Sequence, residues 1–363
     1  MLRPTLLLLL LVLAPVTSAL NAPLYGLNYN SRQGPDWDLT KCKSQAQVDA
    51  DMVLVKALSP RVRIYSLTDC NQGAMVLAAA KKVGLRVWLG MWVDAGNVHF
   101  AVEQAALETL VNAGAIDDAT VLGIHVGSET LYRKDISPET VIANIQTVKS
   151  YLRQHQIYIP VATADVIDML VQYPAVIRAG DVVLANNFPF WELADINTAM
   201  VNFDTKLTTL RSVANGTAIY IGETGWASDG ATVGASPTSA INHATYLTNF
   251  YVYATERQLP YFYFAAFDDA WKGAGVNVSD TVEAHFGLYN SSGQLKPDIA
   301  ALMLPSVTPF PATTAPTSPA STSAQDKDGG ASSTAPSTST GYRTVARDAM
   351  AASGLLLVAT VLN

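Results

Sequence analysis

The sequence predicts an α/β fold: a (β/α)8 TIM barrel followed by a disordered Ser/Thr/Pro-rich C-terminal stalk. Three observations carry that expectation. Apolar, strand-like runs recur through residues 22–304, starting near Pro23, Arg61, Leu85, Ala119, Tyr158, Asp181, Thr217 and Tyr261. Helix-length segments with 3.6-residue periodicity separate them. No Gly-rich phosphate turn follows the first run, "LYGLNYN", as a doubly wound open sheet would usually show. Eight βα units of this total length close into a barrel.

Taken in order, the chain opens with "MLRPTLLLLLLVLAPVTSAL". A positive start at Arg3, a leucine run too short to span a membrane comfortably, and small residues at Thr17-Ser18-Ala19 mark residues 1–19 as a signal peptide. The barrel occupies residues 20–304. Within it "QAQVDADMVLVKAL" has helical periodicity. So does "SPETVIANIQTVKSYLRQH", where Ser137 and Glu139-Thr140 suit a helix start. Trp88 sits mid-strand and belongs to the core. Residues 305–340 are dominated by Ser, Thr, Pro and Ala and cannot bury enough apolar surface to fold, as in an O-glycosylated stalk. Residues 341–363 end in a short apolar tail. Small residues, a polar spacer and that tail fit a GPI-attachment signal, with Ser337, Ser339 or Gly341 as the attachment residue.

The 363 residues are 49% hydrophobic and 15% charged, enough for one large core or two small ones. The net charge is -7, and no basic patch is interleaved with aromatics, which excludes nucleic acid as a partner. Secretion places Cys42 and Cys70 in an oxidising compartment, where they pair or remain buried thiols. A bridge would close a loop of roughly 28 residues, worth up to about 3.6 kcal/mol. The same compartment permits glycosylation at the sequons of Asn215, Asn277 and Asn290. The five histidines, His99, His125, His155, His243 and His285, show no metalloenzyme spacing, so neither metal nor cofactor is expected. His125 lies inside an apolar run and reads as a core residue. No G-x-S-x-G elbow is present.

Two apolar runs end on a carboxylate: "ATVLGIHVGSET" on Glu129 and "TAIYIGETGW" on Glu223. A buried carboxylate is costly unless paired. In a TIM barrel, however, the active site lies at the C-terminal strand ends, and these glutamates close the fourth and seventh strands. Other strand ends supply Tyr29, Tyr65, Asp165, Asn186, Phe188, Trp191, Trp226, Asp268, Asp269 and Trp271. Aromatic faces pack on the C–H surfaces of sugars and carboxylates bind their hydroxyls. Breaking a glycosidic bond needs an acid for the leaving oxygen and a carboxylate across the ring. Two like charges placed so close cannot both ionise freely, so one glutamate keeps its proton near neutral pH.

Through "LYGLNYN", "RVRIYSLTDCNQ", "VGSETLYR", "PVATADV", "ETGWASDG", "FAAFDDAWK" and "VEAHFGLYN", in that order between Leu24 and Asn290, the sequence resembles glycoside hydrolase family 17. That family comprises the β-1,3-glucanases and glucanosyltransferases, and the likeness is to its fungal-type cell-wall branch. The resemblance implies a retaining mechanism without a metal, with Glu129 as acid/base and Glu223 as nucleophile. It also points to Tyr29, Asp268, Trp271, Lys272 and Glu283, with His285 nearby, as sugar-binding or supporting residues. Two positions depart from the family pattern. Ser128 stands where Asn often contacts the sugar 2-hydroxyl, and Phe188 stands where Tyr or His would orient the nucleophile. In addition, Asp269-Ala270 replaces a common acidic-proline pair. The expected protein is a secreted, surface-anchored monomer acting on cell-wall β-glucan, and its only contact with membrane is the anchor. The rivals are a glucan-binding surface protein with little turnover, and an adhesin supported only by the stalk.

Overall fold

The computed structural model describes residues 20–273 and 281–310. The expected signal segment, Asn277, most of the stalk and the apolar tail lie outside the described residues. Eight parallel strands pair in sequence order and close into one barrel. They are β1 (Leu27–Asn28), β2 (Arg61–Arg63), β3 (Arg86–Met91), β4 (Val121–Ser128), β5 (Val161–Val166), β6 (Val183–Asn186), β7 (Ile219–Thr224) and β8 (Tyr261–Tyr263). Leu27 pairs with Val62 on one side and Tyr263 on the other, which completes the ring.

The helices form the outer layer: α1 (Gln45–Leu58), α2 (Gln72–Val83), α3 (Val98–Asn112), α4 (Pro138–Gln154), α5 (Ile167–Gln172), α6 (Pro174–Ala179), α7 (Ala199–Ala214), α8 (Ala240–Glu256) and α9 (Pro297–Ala300). Local chemistry sets their starts. Ser44 accepts from the Gln47 amide while the Gln47 side chain accepts from the Ser44 amide, a capping box that satisfies two otherwise orphaned donors. Ser137 caps α4 through the Thr140 amide, and Pro138 follows at a position where its missing N–H costs nothing. Val141, Ile145, Val148 and Leu152 then line the buried stripe of α4. Each such side chain contributes about 1.5–3 kcal/mol on burial.

The floor of the barrel is a separate apolar cluster of Trp88, Ala162, Ala164, Val182, Leu184 and Phe262. The Trp88 ring lies 5.3 Å from that of Tyr220 and 6.1 Å from that of Phe262, so mid-strand placement makes it core, as expected. Because side chains alternate along a strand, Asn186 faces the same way as Leu184, one layer nearer the mouth. Gly90 makes room for that upper layer. A Cβ there would lie 2.4 Å from the Ile64 carbonyl oxygen and 2.6 Å from His125 Cε1.

Cys42 and Cys70 form a disulfide that ties the β1–α1 loop to the segment after β2. Asn215 is exposed at the C-terminus of α7, in the left-handed region at φ 49°. Asn290 is less free: its Oδ1 accepts from the amides of Ser292 and Gln294.

Candidate active site

The two glutamates meet at the mouth because β4 and β7 lie on opposite sides of β5 and β6. Glu129 follows β4 directly, at φ 59°. A left-handed backbone is uncommon for a residue with a side chain, and it persists only where the surroundings impose it. Here the Glu129 N–H donates to Ala164 O at 2.8 Å. The Leu131 N–H donates to the buried Asp165 carboxylate at 2.9 Å. Arg133 Nη1 donates to Ser128 O at 2.7 Å, and its guanidinium stacks 4.7 Å over the Trp92 ring. Asp165 and Arg133 therefore grip the turn that presents the glutamate.

Glu223, the penultimate residue of β7, is 8% exposed. Its Oε1 accepts from Arg63 Nη1 at 2.8 Å, from Asn186 Nδ2 at 3.0 Å and from Ser128 Oγ at 3.4 Å. Asn186 Nδ2 also donates to Glu129 Oε1 at 2.8 Å. One amide nitrogen thus joins both carboxylates. Their Oε1 atoms are therefore within about 6 Å of each other, a spacing compatible with the ~5–5.5 Å carboxyl pair of retaining glycosidases.

This geometry separates the protonation states of the pair. Burial and then the charge of Glu223 push the Glu129 carboxyl up to about 7. Burial likewise raises Asp165 to about 6, against the backbone N–H groups that stabilise its charge. Because native Glu129 binds its proton more tightly than an unfolded carboxyl, folding stability falls as pH rises from the ordinary carboxylate range to about 7. We expect the basic limb of the kcat/KM profile near the same pH, where the acid is lost. Glu129→Gln should abolish that limb and reduce the decline in stability to the part that Asp165 contributes up to about pH 6. A profile that keeps its limb in the variant would move the acid elsewhere.

Beneath Glu223 lies a polar layer. Arg63 is fully buried and also donates to Asn28 Oδ1 at 2.9 Å and Ser128 Oγ at 3.3 Å. Its Nη2 lies 3.3 Å from His125 Nε2. Burial and then the Arg63 charge hold His125 well below the usual imidazole range, so the ring is neutral and accepts from Arg63. His125 is a core residue, as expected, and also part of this network. Arg63, Asn28 and Tyr132 carry no role in the motif reading. Arg63 did leave a trace: a charge inside the apolar run "RVRIY" needs a buried partner. Tyr132, 43% exposed, lies near both Glu129 and Glu192, whose charges, after burial, raise its hydroxyl.

The other expected residues divide. Tyr65 lies under the Arg63 guanidinium, 4.9 Å from its ring centre, and burial followed by the Glu223 charge raises its hydroxyl well above the usual range. Tyr65 lines a small depression with Asn28, Tyr29, Asn30, Phe264, Ala265, Phe267 and Asp269. Trp271 donates to Asp269 Oδ1 at 3.2 Å. Lys272 Nζ lies 3.4 Å from both Asp269 and Glu283 and 5.2 Å from the Phe264 ring centre. Burial works against its charge, but those two carboxylates outweigh it and raise the ammonium. Trp191 and Phe188 are partly exposed, and Phe188 packs edge-on against Phe264 and Phe286.

One expectation is corrected, and for Asp268 and Tyr29 the contacts favour the supporting role over direct sugar contact. Trp226 is fully buried against Phe190 and Tyr246, with Nε1 donating to Pro237 O, so its ring has no face for a sugar. Asp268 is an anchor: its Oδ1 accepts from Lys296 Nζ at 2.7 Å and the Gly287 amide at 2.8 Å. Tyr29 is 2% exposed and turns its hydroxyl to Asp51 on α1 at 2.8 Å. Among the described residues, no cluster of three or more His, Cys, Asp or Glu is arranged to hold a metal ion.

Residues 26–287 match the family model of the BtgE/BtgC glycoside hydrolase domain. A glucan 1,3-beta-glucosidase of Saccharomyces cerevisiae is 31% identical over 270 residues, which cover 70% of this chain and 85% of that protein. A probable glucan endo-1,3-beta-glucosidase btgC of Aspergillus fumigatus is 29% identical over 278 residues, 70% of this chain and 40% of that longer protein. Among solved structures, an active-site mutant of Rhizomucor miehei beta-1,3-glucanosyltransferase in complex with laminaritriose superposes with a TM-score of 0.67 at 31% identity. That match covers 78% of this chain and 97% of the other.

Proposed function

The chain belongs to the BtgE/BtgC domain family within glycoside hydrolase family 17, and from that membership we propose that it is a retaining enzyme that cleaves and transfers β-1,3-glucan. One observation carries the mechanistic part: the Asn186 amide binds Glu129 and Glu223 at once, so the two carboxylate oxygens lie within about 6 Å of each other, a spacing that suits the ~5–5.5 Å pair of a retaining site. Glu223, its charge held by Arg63, attacks the anomeric carbon. Glu129, protonated because of its burial and its neighbour, gives its proton to the departing glycosidic oxygen. The resulting ester removes the charge of Glu223. The proton affinity of Glu129 falls, and it becomes the base that takes a proton from water or from a sugar hydroxyl. Attack by that oxygen releases Glu223 and completes hydrolysis or transfer. Tyr65, Trp191, Trp271 and Tyr132 form the walls for the sugar, and Lys272, Asp269 and Glu283 its polar edge.

The sequence supports the setting in which this occurs. The leader, the Ser/Thr/Pro-rich stretch and the small residues followed by a polar spacer and an apolar tail fit a secreted enzyme held by a GPI anchor at the cell wall, where its polymer lies. Incubating the purified protein with laminarin oligosaccharides and separating the products tests the reading. Shorter products mark hydrolysis and longer ones transfer, and the first-formed anomer is β in either case. Unchanged oligosaccharides would favour a glucan-binding protein, and an α-anomer would remove the covalent intermediate.

A further inference from the structure

We propose that the β1–α1 loop carries an extended sugar-binding site, in which the indole of Trp37 stacks on a β-1,3-glucan chain leaving the cleft across the β1–β2–β8 rim. This rests on the proposed glucan activity and carries it outward from the catalytic centre. Trp37 is 75% exposed, although a large aromatic surface in water is unfavourable. Its loop is not loose. The Asp38 amide donates to Pro35 O at 3.0 Å, which sets Trp37 at the tip of a turn. The Gln33 amide donates to Lys41 O at 2.7 Å and the Lys43 amide to Ser31 O at 3.0 Å, closing the base like a hairpin. The Cys42–Cys70 bridge then fixes that base to the neighbouring loop.

Arg32 fixes where the tip stands. Its guanidinium donates to Asp36 Oδ1 at 2.8 Å and holds Asp69, beyond β2, through two bonds of 2.9 Å. The same guanidinium lies 5.5 Å from the Trp271 ring centre, beyond β8. The loop is thereby pinned on the rim beside the depression lined by Tyr65, Phe267 and Asp269. Asp36 is paired with Arg32 and with Lys41 at 3.1 Å, and Asp38, on the other side of the indole, accepts from the Thr40 amide and hydroxyl at 2.7 and 2.8 Å, so both neighbouring carboxylates are held within the loop. A braced aromatic face on the rim suits a neutral polymer, whose C–H surfaces meet the negative face of the ring. Bracing in advance lowers the ordering cost of binding.

The test compares kcat/KM on long laminarin with kcat/KM on laminaritriose. Trp37→Ala should lower the long-to-short ratio about tenfold, and Trp37→Phe should keep most of it. Tyr158→Ala removes an aromatic that is 71% exposed just before β5, at the opposite end of the barrel, and should leave the ratio at the wild-type value. A ratio unchanged in Trp37→Ala would overturn the proposal. So would light scattering that shows a wild-type dimer become a monomer in Trp37→Ala with the ratio preserved, since Trp37 and the fully exposed Leu39 would then be a self-association patch. If the wild type turns over neither substrate, the activity reading fails by itself. Retention of the protein on insoluble β-1,3-glucan still decides Trp37: weaker retention of Trp37→Ala supports the site, and equal retention overturns it.

Discussion

Glu223→Ala is expected to lose turnover by about 10⁴-fold or more while still binding β-1,3-glucan, because the covalent step has no substitute nucleophile. The loss should be partly reversible by chemistry. Removing the carboxylate leaves an anion-sized space beside Arg63 Nη1 and Asn186 Nδ2, both of which donate to the wild-type Oε1. Added azide can enter there and displace a good leaving group from an activated β-glucoside. One displacement gives the α-azide. Glu129→Ala should behave differently. It keeps the nucleophile, so azide meets the glycosyl-enzyme and gives the β-azide, and substrates with good leaving groups lose the least. Product anomers identified by NMR check both. An α-azide from Glu129→Ala and none from Glu223→Ala would exchange the two roles.

Arg63→Met should lower kcat by about 10²–10³-fold, because the guanidinium is the shortest contact to Glu223 and a preorganised charge loses its value once absent. It should also destabilise the fold by about 3 kcal/mol, since the partner carboxylate is left buried without its counter-ion and keeps only the Asn186 and Ser128 donors. Adding Glu223→Gln to Arg63→Met removes the orphaned charge and should recover much of that stability with no recovery of activity. Arg63→Lys keeps the charge but not the fork that reaches Asn28, Ser128 and Glu223 together, so it should fall between wild type and Arg63→Met. Urea denaturation and steady-state kinetics on the same preparations separate the two effects. Normal kcat in Arg63→Met would mean that Asn186 and Ser128 orient the nucleophile unaided.

The network also accounts for Phe188. From the motif alone, the missing hydroxyl or imidazole on the sixth strand leaves Glu223 without an orienting group. In the folded chain Oε1 already has three donors, from β2, β4 and β6, and Phe188 packs instead with Phe264 and Phe286. Ser128 is similar. Its hydroxyl accepts from Arg63 and donates to Glu223, so in the folded chain it supports the Glu223 carboxylate.

Local pattern determined what depends on neighbours along the chain. The strands of "RVRIY" and "YFYF" begin at Arg61 and Tyr261, where the apolar runs do, and the other six begin one to four residues into theirs. α1 occupies the whole periodic segment Gln45–Leu58. Carboxylates that close apolar runs have few places to go in a barrel except the mouth, so the positions of Glu129 and Glu223 are legible in the sequence alone. Tertiary structure alone decided the direction and partners of side chains beyond the strand ends. Trp226 and Trp271 look alike in sequence, yet one is sealed under Phe190 and Tyr246 while the other remains partly open. Asp268 and Asp269 are adjacent, yet the first binds Lys296 and the second faces Lys272. Arg63 and Glu223 are 160 residues apart and meet only because the barrel closes. Periodicity reports which face of an element is buried; it carries no information about which charge from a distant strand will stand opposite, and in a low-dielectric interior that pairing is what sets protonation and reactivity.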